Sequence, residues 1–529
     1  MAVPLLHLST HLGIPPTILA LSLVVLLLVL YLLRWALCPT LDPREPPMLW
    51  PKIPLIGHSL SIVSEGGGYY GRLYKTTPHP ALTLPTLTQK LYLLNSTALI
   101  AAALRSPTLS FDPFIVLFSQ NALAASEADV QRLRDPAYLR AAKKPFYPSM
   151  SGEWLRGMVG VALGEIAGGL NELGVGGGGD GDGGDGVGSG SGSGGGVCEV
   201  GHVGEWLREG ISKAIVRALY GSRNPITLGR LYDIWEFDRK ITVLTLGLAP
   251  RLLARKAVAG RGRIQAALYE YYREGHDQGP DVSAFVRNRA AAKREMGVCA
   301  ADLASGETDI PWTALTNTIP SLAWVFVSVF ARPDFAERVR QETAEATTMD
   351  GDKASVNVEE LGKKPFINGV VHEVQRMYNK LCGYREVLED TVLRDADGRE
   401  YLLKKGSSAQ WFHGVPHLSE DVWGPDAREF NPERFIDTPA EEEKKRRGAY
   451  IPFGGGKHLC PGRRFAVTEI IGMVGAIALM FDVEGVSVPP AKAGFAGCAM
   501  AHPDWKGNPP RVRFSRRKDW EKVQLEFIV

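Results

Sequence analysis

The chain of 529 residues carries 60 Lys and Arg against 58 Asp and Glu, a formal net charge of +2, with 45% hydrophobic and 22% charged residues. That near-neutral balance excludes a nucleic-acid reader built on bulk positive charge, and the length allows a core large enough to need no disulfide staples. Six scattered cysteines without C-x-x-C spacing fit neither a zinc ribbon nor a secreted disulfide framework, and favour a reducing compartment.

Residues Met1 to Leu33 hold no Asp, Glu, Lys or Arg, and Pro16 to Leu33 is an apolar run of 18 residues. That length reaches what a bilayer crossing needs. No basic residue precedes the run, and Arg34-Trp35 follows it where a cleavage site would place small residues, so 1–38 reads as a transmembrane anchor and not a signal peptide. Arg34, Arg44 and Lys52 on its C-terminal side direct the rest of the chain to the cytosol. Six prolines between Pro39 and Pro54 fix φ and remove N–H donors, which makes 39–58 a stiff, extended linker. The remaining 59–529 reads as one catalytic domain with one interruption. Gly174 to Val197 has 15 glycines in 24 residues, the others being Asp, Ser and Val. It buries too little apolar surface to offset its ordering entropy, and is predicted to be a disordered surface insertion. Its flanks, Trp154–Leu173 and Glu199–Tyr220, both have a helical pattern.

Pro311 to Ala331 is a second uncharged stretch, of 21 residues. Thr313, Thr316, Asn317, Thr318, Pro320 and Ser321 crowd its first half, which argues for a buried core helix beside a cavity and against a membrane span. Pro320 predicts a bend or an opening there. Pro365 to Asn379 is amphipathic on a 3.6-residue period, with Glu373 and Arg376 one turn apart on one face. Arg385 to Gln410 alternates in short runs around Asp397-Gly398 and Lys405-Gly406 turns, a hairpin signature. The fold class is mainly α with small β-sheets.

The segment Pro452-Phe453-Gly454-Gly455-Gly456-Lys457-His458-Leu459-Cys460-Pro461-Gly462 is the most informative. It is not a phosphate loop: Ile451 stands where the first glycine of that motif belongs and His458 where its Ser or Thr belongs. It offers one cysteine in a Gly-rich turn, followed at once by a helical pattern over Arg464–Phe481. Free N–H groups and the dipole at a helix start favour a thiolate, and glycines let a large sulfur and a flat ring come close. A lone thiolate so held suits a single axial bond to haem iron.

Phe453, Gly456, His458, Cys460 and Gly462 together resemble the haem-ligand loop of the cytochromes P-450. Glu373-x-x-Arg376 matches that family's E-x-x-R helix, and Pro432-Glu433-Arg434-Phe435 its P-E-R-F segment, in the right order. The Pro-rich stretch after a membrane anchor resembles the microsomal members. The resemblance implies the cytochrome P-450 fold over roughly Pro46 to Phe514, with haem b as cofactor and Cys460 as the iron ligand. It implies further that Phe453 and Gly456 shape the thiolate loop, that His458 and Arg385 contact haem propionates, and that Glu373, Arg376 and Arg434 form a buried structural cluster. The basic run Lys444–Arg447, with Lys457 and Arg463, would then steer an acidic NADPH-cytochrome reductase.

One departure stands out. Where the family has an acid–alcohol pair in its central helix, this chain has Thr316 and Asn317, followed by Thr318. The run through Pro320 to Trp324 resembles the subgroup of sterol 7α-hydroxylases and prostacyclin synthase. Thr316, Asn317 and Thr318 are the candidate catalytic residues. The resemblance implies monooxygenation of a lipophilic small molecule (a sterol, terpenoid or other secondary metabolite) with O2 and reductase-supplied electrons, at the endoplasmic reticulum membrane. The same subgroup leaves a reductase-independent isomerase or dehydratase acting on a peroxide as the alternative, with a haem sensor or carrier more distant.

Overall fold

The computed structural model describes residues 15–37, 41–51, 57–87, 89–173, 191–193, 197–492, 499–505 and 511–529. The expectations for 1–14, for the remaining linker residues and for most of the glycine tract lie outside them. The chain divides into two compact units.

The smaller unit holds residues up to Ser110 together with Tyr384–Trp411. A helix spans Pro16–Leu37, 22 residues, about 33 Å at 1.5 Å per residue. Among its described side chains Leu21, Val24, Leu27 and Tyr31 are exposed. A five-stranded sheet follows the order Ala81–Pro85, Lys90–Leu94, Ser408–Phe412, Cys382–Val387, Leu109–Ser110. The Asp397-Gly398 turn closes the antiparallel hairpin of Thr391–Arg394 with Glu400–Leu403, and Gly398 takes φ +85° there. The described linker residues are not extended throughout, because residues 43–45 form a turn closed by Glu45 N–H on Asp42 O, and they do not stand alone. Met48 bridges Thr83 in parallel, Leu49 N–H donates to Thr83 O, and buried Glu45 takes Lys90 and Tyr92. A proline-rich strand still has carbonyls, and here they find N–H partners on the first sheet strand.

The larger unit is mainly helical. Its centre is the helix Asp309–Phe330, packed against the helices Val203–Tyr220, Pro365–Tyr378 and Arg463–Met480. Leu315, Leu322, Trp324, Val325, Phe326, Val327 and Val329 on the central helix are completely buried, so its apolar length serves a core and not a bilayer. The helix is continuous through Pro320. Its polar side chains turn back on their own backbone. Thr313, Thr316, Asn317 and Ser321 each donate to the carbonyl four residues earlier, at 2.7–2.9 Å.

The segments flanking the glycine tract differ in kind. Gly152–Glu172 is helical as expected, but the second helix begins only at Val203, where His202 accepts from Glu205 N–H. Val197–Val200 before it is a strand, because Cys198 and Val200 alternate with Glu199 and pair antiparallel with Val512–Arg516. Ser191–Ser193, inside the predicted disordered tract, adds an edge strand to this sheet.

Candidate active site

The cysteine loop is built by backbone geometry. Gly454 and Gly456 take φ of +73° and +62°, where a side chain would be strained. Gly454 N–H donates to Ile451 O, and Cys460 N–H returns to Phe453 O at 3.0 Å. The backbone N–H groups of Gly462 and Arg463 point at the Cys460 sulfur, and Arg463 donates to Cys460 O at 2.9 Å. Burial pushes the thiol up, and those two amides with the Arg463 charge oppose it. A free thiol there stays protonated at neutral pH; coordination to a metal ion would deprotonate it.

The site residues fit a haem. Cys460 and Phe453 are half-buried, and on the otherwise buried central helix Thr313, Ala314 and Asn317 remain accessible along one face. A cavity of about 480 Å³ lies elsewhere, lined by Leu361, Phe453, Leu459, Val467 and Ile471. No central-helix residue lines it, so it is not the space between thiolate and central helix.

The structure brings Glu373, Arg376 and Arg434 together, completely buried but for a trace at Arg434. Arg376 grips Glu373 with two bonds of 2.7 Å, Arg434 adds one at 3.1 Å and Asn431 N–H another at 2.9 Å. A 2.8 Å approach explains Gly369 on the same helix: a Cβ there would meet Pro432 O.

Sequence reasoning missed what connects this cluster to the thiolate loop. Arg376 donates to His417 O at 2.7 Å, and the His417 ring accepts from Ile451 N–H at 3.1 Å, at the root of the loop. Burial holds His417 well below its ordinary pKa, which leaves a neutral ring able to accept. Asn379 donates to Pro452 O at 2.9 Å. The position of Asn379 just past the Glu373 helix was the available signal; His417 had none.

Asn317 donates to Thr313 O and accepts from Ala499 N–H, both at 2.9 Å, so it ties the central helix to the C-terminal segment. Trp324 does the same at Ala501 O, 2.7 Å, while stacking on Tyr378 at 3.6 Å. Thr316 is committed to Trp312 O, and Thr318 is buried. At 100° per residue the three candidates Thr316, Asn317 and Thr318 cannot share a face. His458 sits 3.9 Å from Asp112, which also takes Lys143. Arg385 lies in the smaller unit, buried, donating to Tyr384 O over the Trp411 ring; its propionate role rests on the resemblance alone. The basic run divides between an inward-turned Arg446 and exposed neighbours. It ends the helix Ala440–Arg447, which starts with three glutamates, so acids and bases complement the dipole. Arg446 turns inward to Arg434 O and over Trp423, and Arg447 pairs with Glu443; Lys444 and Lys445 stay exposed.

Comparison with known proteins agrees with this arrangement. The family profile "Cytochrome P450" matches residues 283–503. A cytochrome P450 monooxygenase of Gibberella zeae is 31% identical over 511 residues, 94% of each chain. A 5-beta-cholestane-3-alpha,7-alpha-diol 12-alpha-hydroxylase of Sus scrofa is 28% identical over 274 residues, 48% of this chain and 53% of its own. Among solved structures, retinoic acid-bound cyanobacterial CYP120A1 superposes with a TM-score of 0.68 at 17% identity, over 90% of this chain and 100% of its own. With its thiolate loop, its buried Glu–Arg–Arg cluster and a relative matched over nearly its full length, the chain belongs to the cytochrome P450 family and is a haem-thiolate monooxygenase with a relationship to the sterol hydroxylases.

Proposed function

We propose that the protein is anchored in the endoplasmic reticulum membrane by the Pro16–Leu37 helix and hydroxylates or epoxidises a lipophilic small molecule, such as a sterol, terpenoid or other secondary metabolite. Electrons come from NADPH through a flavoprotein reductase. The observation that carries the reading is the cysteine seat tied through His417 and Asn379 to the buried cluster, within a chain matched end to end by a fungal monooxygenase. The animal relative's printed name, a sterol 12-alpha-hydroxylase, supports the lipophilic class. So does the aromatic wall beside the central helix, where Phe118 stacks on Trp312 at 5.2 Å and Phe237 meets it edge-on at 5.8 Å. Exposed Lys444, Lys445 and Lys457 remain as cations for an acidic partner.

Haem held by Cys460 would supply the oxygen-activating chemistry. The chain's own residues do the rest. Gly462 and Arg463 amides stabilise the thiolate. His458 would neutralise propionate charge; the same role for Arg385 rests on the family resemblance alone. Asn317 uses one N–H and one lone pair of its amide within the protein, leaving the second N–H and lone pair to orient a water. That water moves protons in place of the acid–alcohol pair, since Thr316 and Asn317 carry no titratable proton. The isomerase alternative has no observation of its own in its favour.

The test is turnover by the purified holoenzyme with reductase, NADPH and a panel of sterols and terpenoids. Product formed in step with NADPH consumption supports the reading. Turnover of hydroperoxides alone, with no NADPH-dependent product, overturns it.

A further inference from the structure

Where the helices Val203–Tyr220 and Leu228–Arg239 meet the hairpin of Ala491–Lys492 with His502–Pro503, hydrogen-bond donors gather without acceptors. Trp505 packs over Gly204, where even a Cβ would come within 2.4 Å of its ring. One turn further along that helix face, the Arg208 guanidinium lies over the Trp235 ring at 5.0 Å. His502 meets Trp235 edge-on at 6.0 Å, and the hairpin register sets Lys492 opposite His502. Arg208 Nε, Trp235 Nε1, His502 Nε2 and Trp505 Nε1 are all buried, and all lack a hydrogen-bond partner among the described residues.

The surrounding charge does not account for them. Glu205 and Glu209 flank Arg208 on its own helix, yet neither pairs with it, and Glu205 faces His202 at 3.8 Å. The cation–π stack occupies the face of the guanidinium, and its buried Nε has no acceptor among the described residues. Burial holds Arg208 below its ordinary range, and burial with the charges of Arg208 and Lys492 holds His502 down at about 4. Burial is the first cause of both shifts, and at Arg208 the charges of Glu205 and Glu209 only partly offset it. Buried polar groups in native proteins are nearly always satisfied. One water has two lone pairs to offer, and four such nitrogens sit on or beside three adjoining elements.

We propose that this junction is a binding site for an oxyanion, a carboxylate or phosphate group, held by Arg208, Trp235, His502 and Trp505. An oxyanion is acceptor-only, brings enough lone pairs for all four nitrogens, and gains strength between indole walls where the local dielectric is low. His502 donates from Nε2 in the tautomer such a ligand selects. The site adjoins the Ala499–Ala501 segment that Asn317 and Trp324 hold. An anion on His502 therefore braces a segment bonded to the central helix. The inference does not depend on the monooxygenase reading.

The experiment titrates purified holoenzyme with dodecanoate, dodecanol and inorganic phosphate, read by calorimetry and by thermal midpoint, in wild type, Arg208→Met and Trp235→Phe. The expected result is binding of at least one anion, with affinity about tenfold weaker in Arg208→Met and also reduced in Trp235→Phe, which keeps an aromatic ring and deletes only the N–H. Dodecanoate binding alone identifies the anion as the carboxylate of a lipophilic molecule; phosphate binding as well identifies a free oxyanion site. If neither anion binds, if dodecanol binds as tightly as dodecanoate, or if both variants bind like wild type, the proposal is wrong. Should Arg208→Met fail to fold, the affinity of Trp235→Phe decides between the two outcomes.

Discussion

Replacing Glu373 by Ala removes the acceptor of four bonds at once: two from Arg376, one from Arg434 and one from Asn431 N–H. Among the described residues Arg376 keeps only neutral partners, the carbonyls of His417, Ala427 and Glu429. Arg434 keeps Asp426 at 2.9 Å, a carboxylate whose side chain is 38% exposed. Two buried guanidinium charges then share one half-solvated counter-charge. At about 4 Å and an effective dielectric near 20, one lost pairing is worth about 4 kcal/mol, in line with the 3–5 kcal/mol typical of breaking a buried pair. Against a total stability of about 5–15 kcal/mol, that is enough to loosen the His417 link to the thiolate loop before it unfolds the chain. The assay is the haem-to-protein ratio together with the thermal midpoint. The expected order of damage is Glu373→Ala, then Glu373→Gln, which keeps an acceptor oxygen, then Asp426→Ala, a half-exposed partner worth about 1 kcal/mol or less. Full haem content with an unshifted midpoint in Glu373→Ala would refute the structural role.

Four further outcomes are expected. Cys460→His should abolish the strongly red-shifted absorption of the reduced, CO-bound protein, and a variant that keeps the band would remove Cys460 as the ligand. Gly369→Ala drives a methyl against Pro432 O and should cost about 1–3 kcal/mol, seen as a lower midpoint and less haem; an unchanged midpoint would mean that the Pro432 segment gives way freely. His502, held at about 4 in the fold against about 6.5 unfolded, is protonated first in the unfolded chain, so stability falls as pH drops from about 7 to 5. Its share of that loss is about 1–2 kcal/mol, and His502→Gln should flatten the slope by that amount when unfolding is followed at both pH values. Asn317→Ala should lower product per NADPH by about an order of magnitude while peroxide rises, whereas an unchanged ratio with normal substrate binding would take Asn317 out of oxygen activation.

Short-range periodicity and ordered motifs encode a large part of this chain. The Glu373 helix, the Asp397-Gly398 hairpin, the central helix and the helix after Cys460 were all legible, because each depends on residues within a few turns of one another. The cysteine loop was legible for the same reason, its glycines, thiol and helix start being contiguous. Long-range packing set the rest. The helix that carries Pro320 runs unbroken through it, within a surrounding core and with four backward hydrogen bonds from Thr, Asn and Ser side chains. Val197–Val200 became a strand because its partner lies more than 300 residues away, at Val512–Arg516. Within the basic run near Cys460, Arg446 turns in to Arg434 while Lys444 and Lys445 stay exposed, a division that only the packing decides. The tie from Arg376 through His417 to Ile451, the Asn317 bond to Ala499 and the donor cluster around Arg208 join residues 27 to 267 positions apart. No local pattern marks such pairs. A buried polar atom takes whichever partner the packed elements bring within 3 Å, and that is a property of the fold.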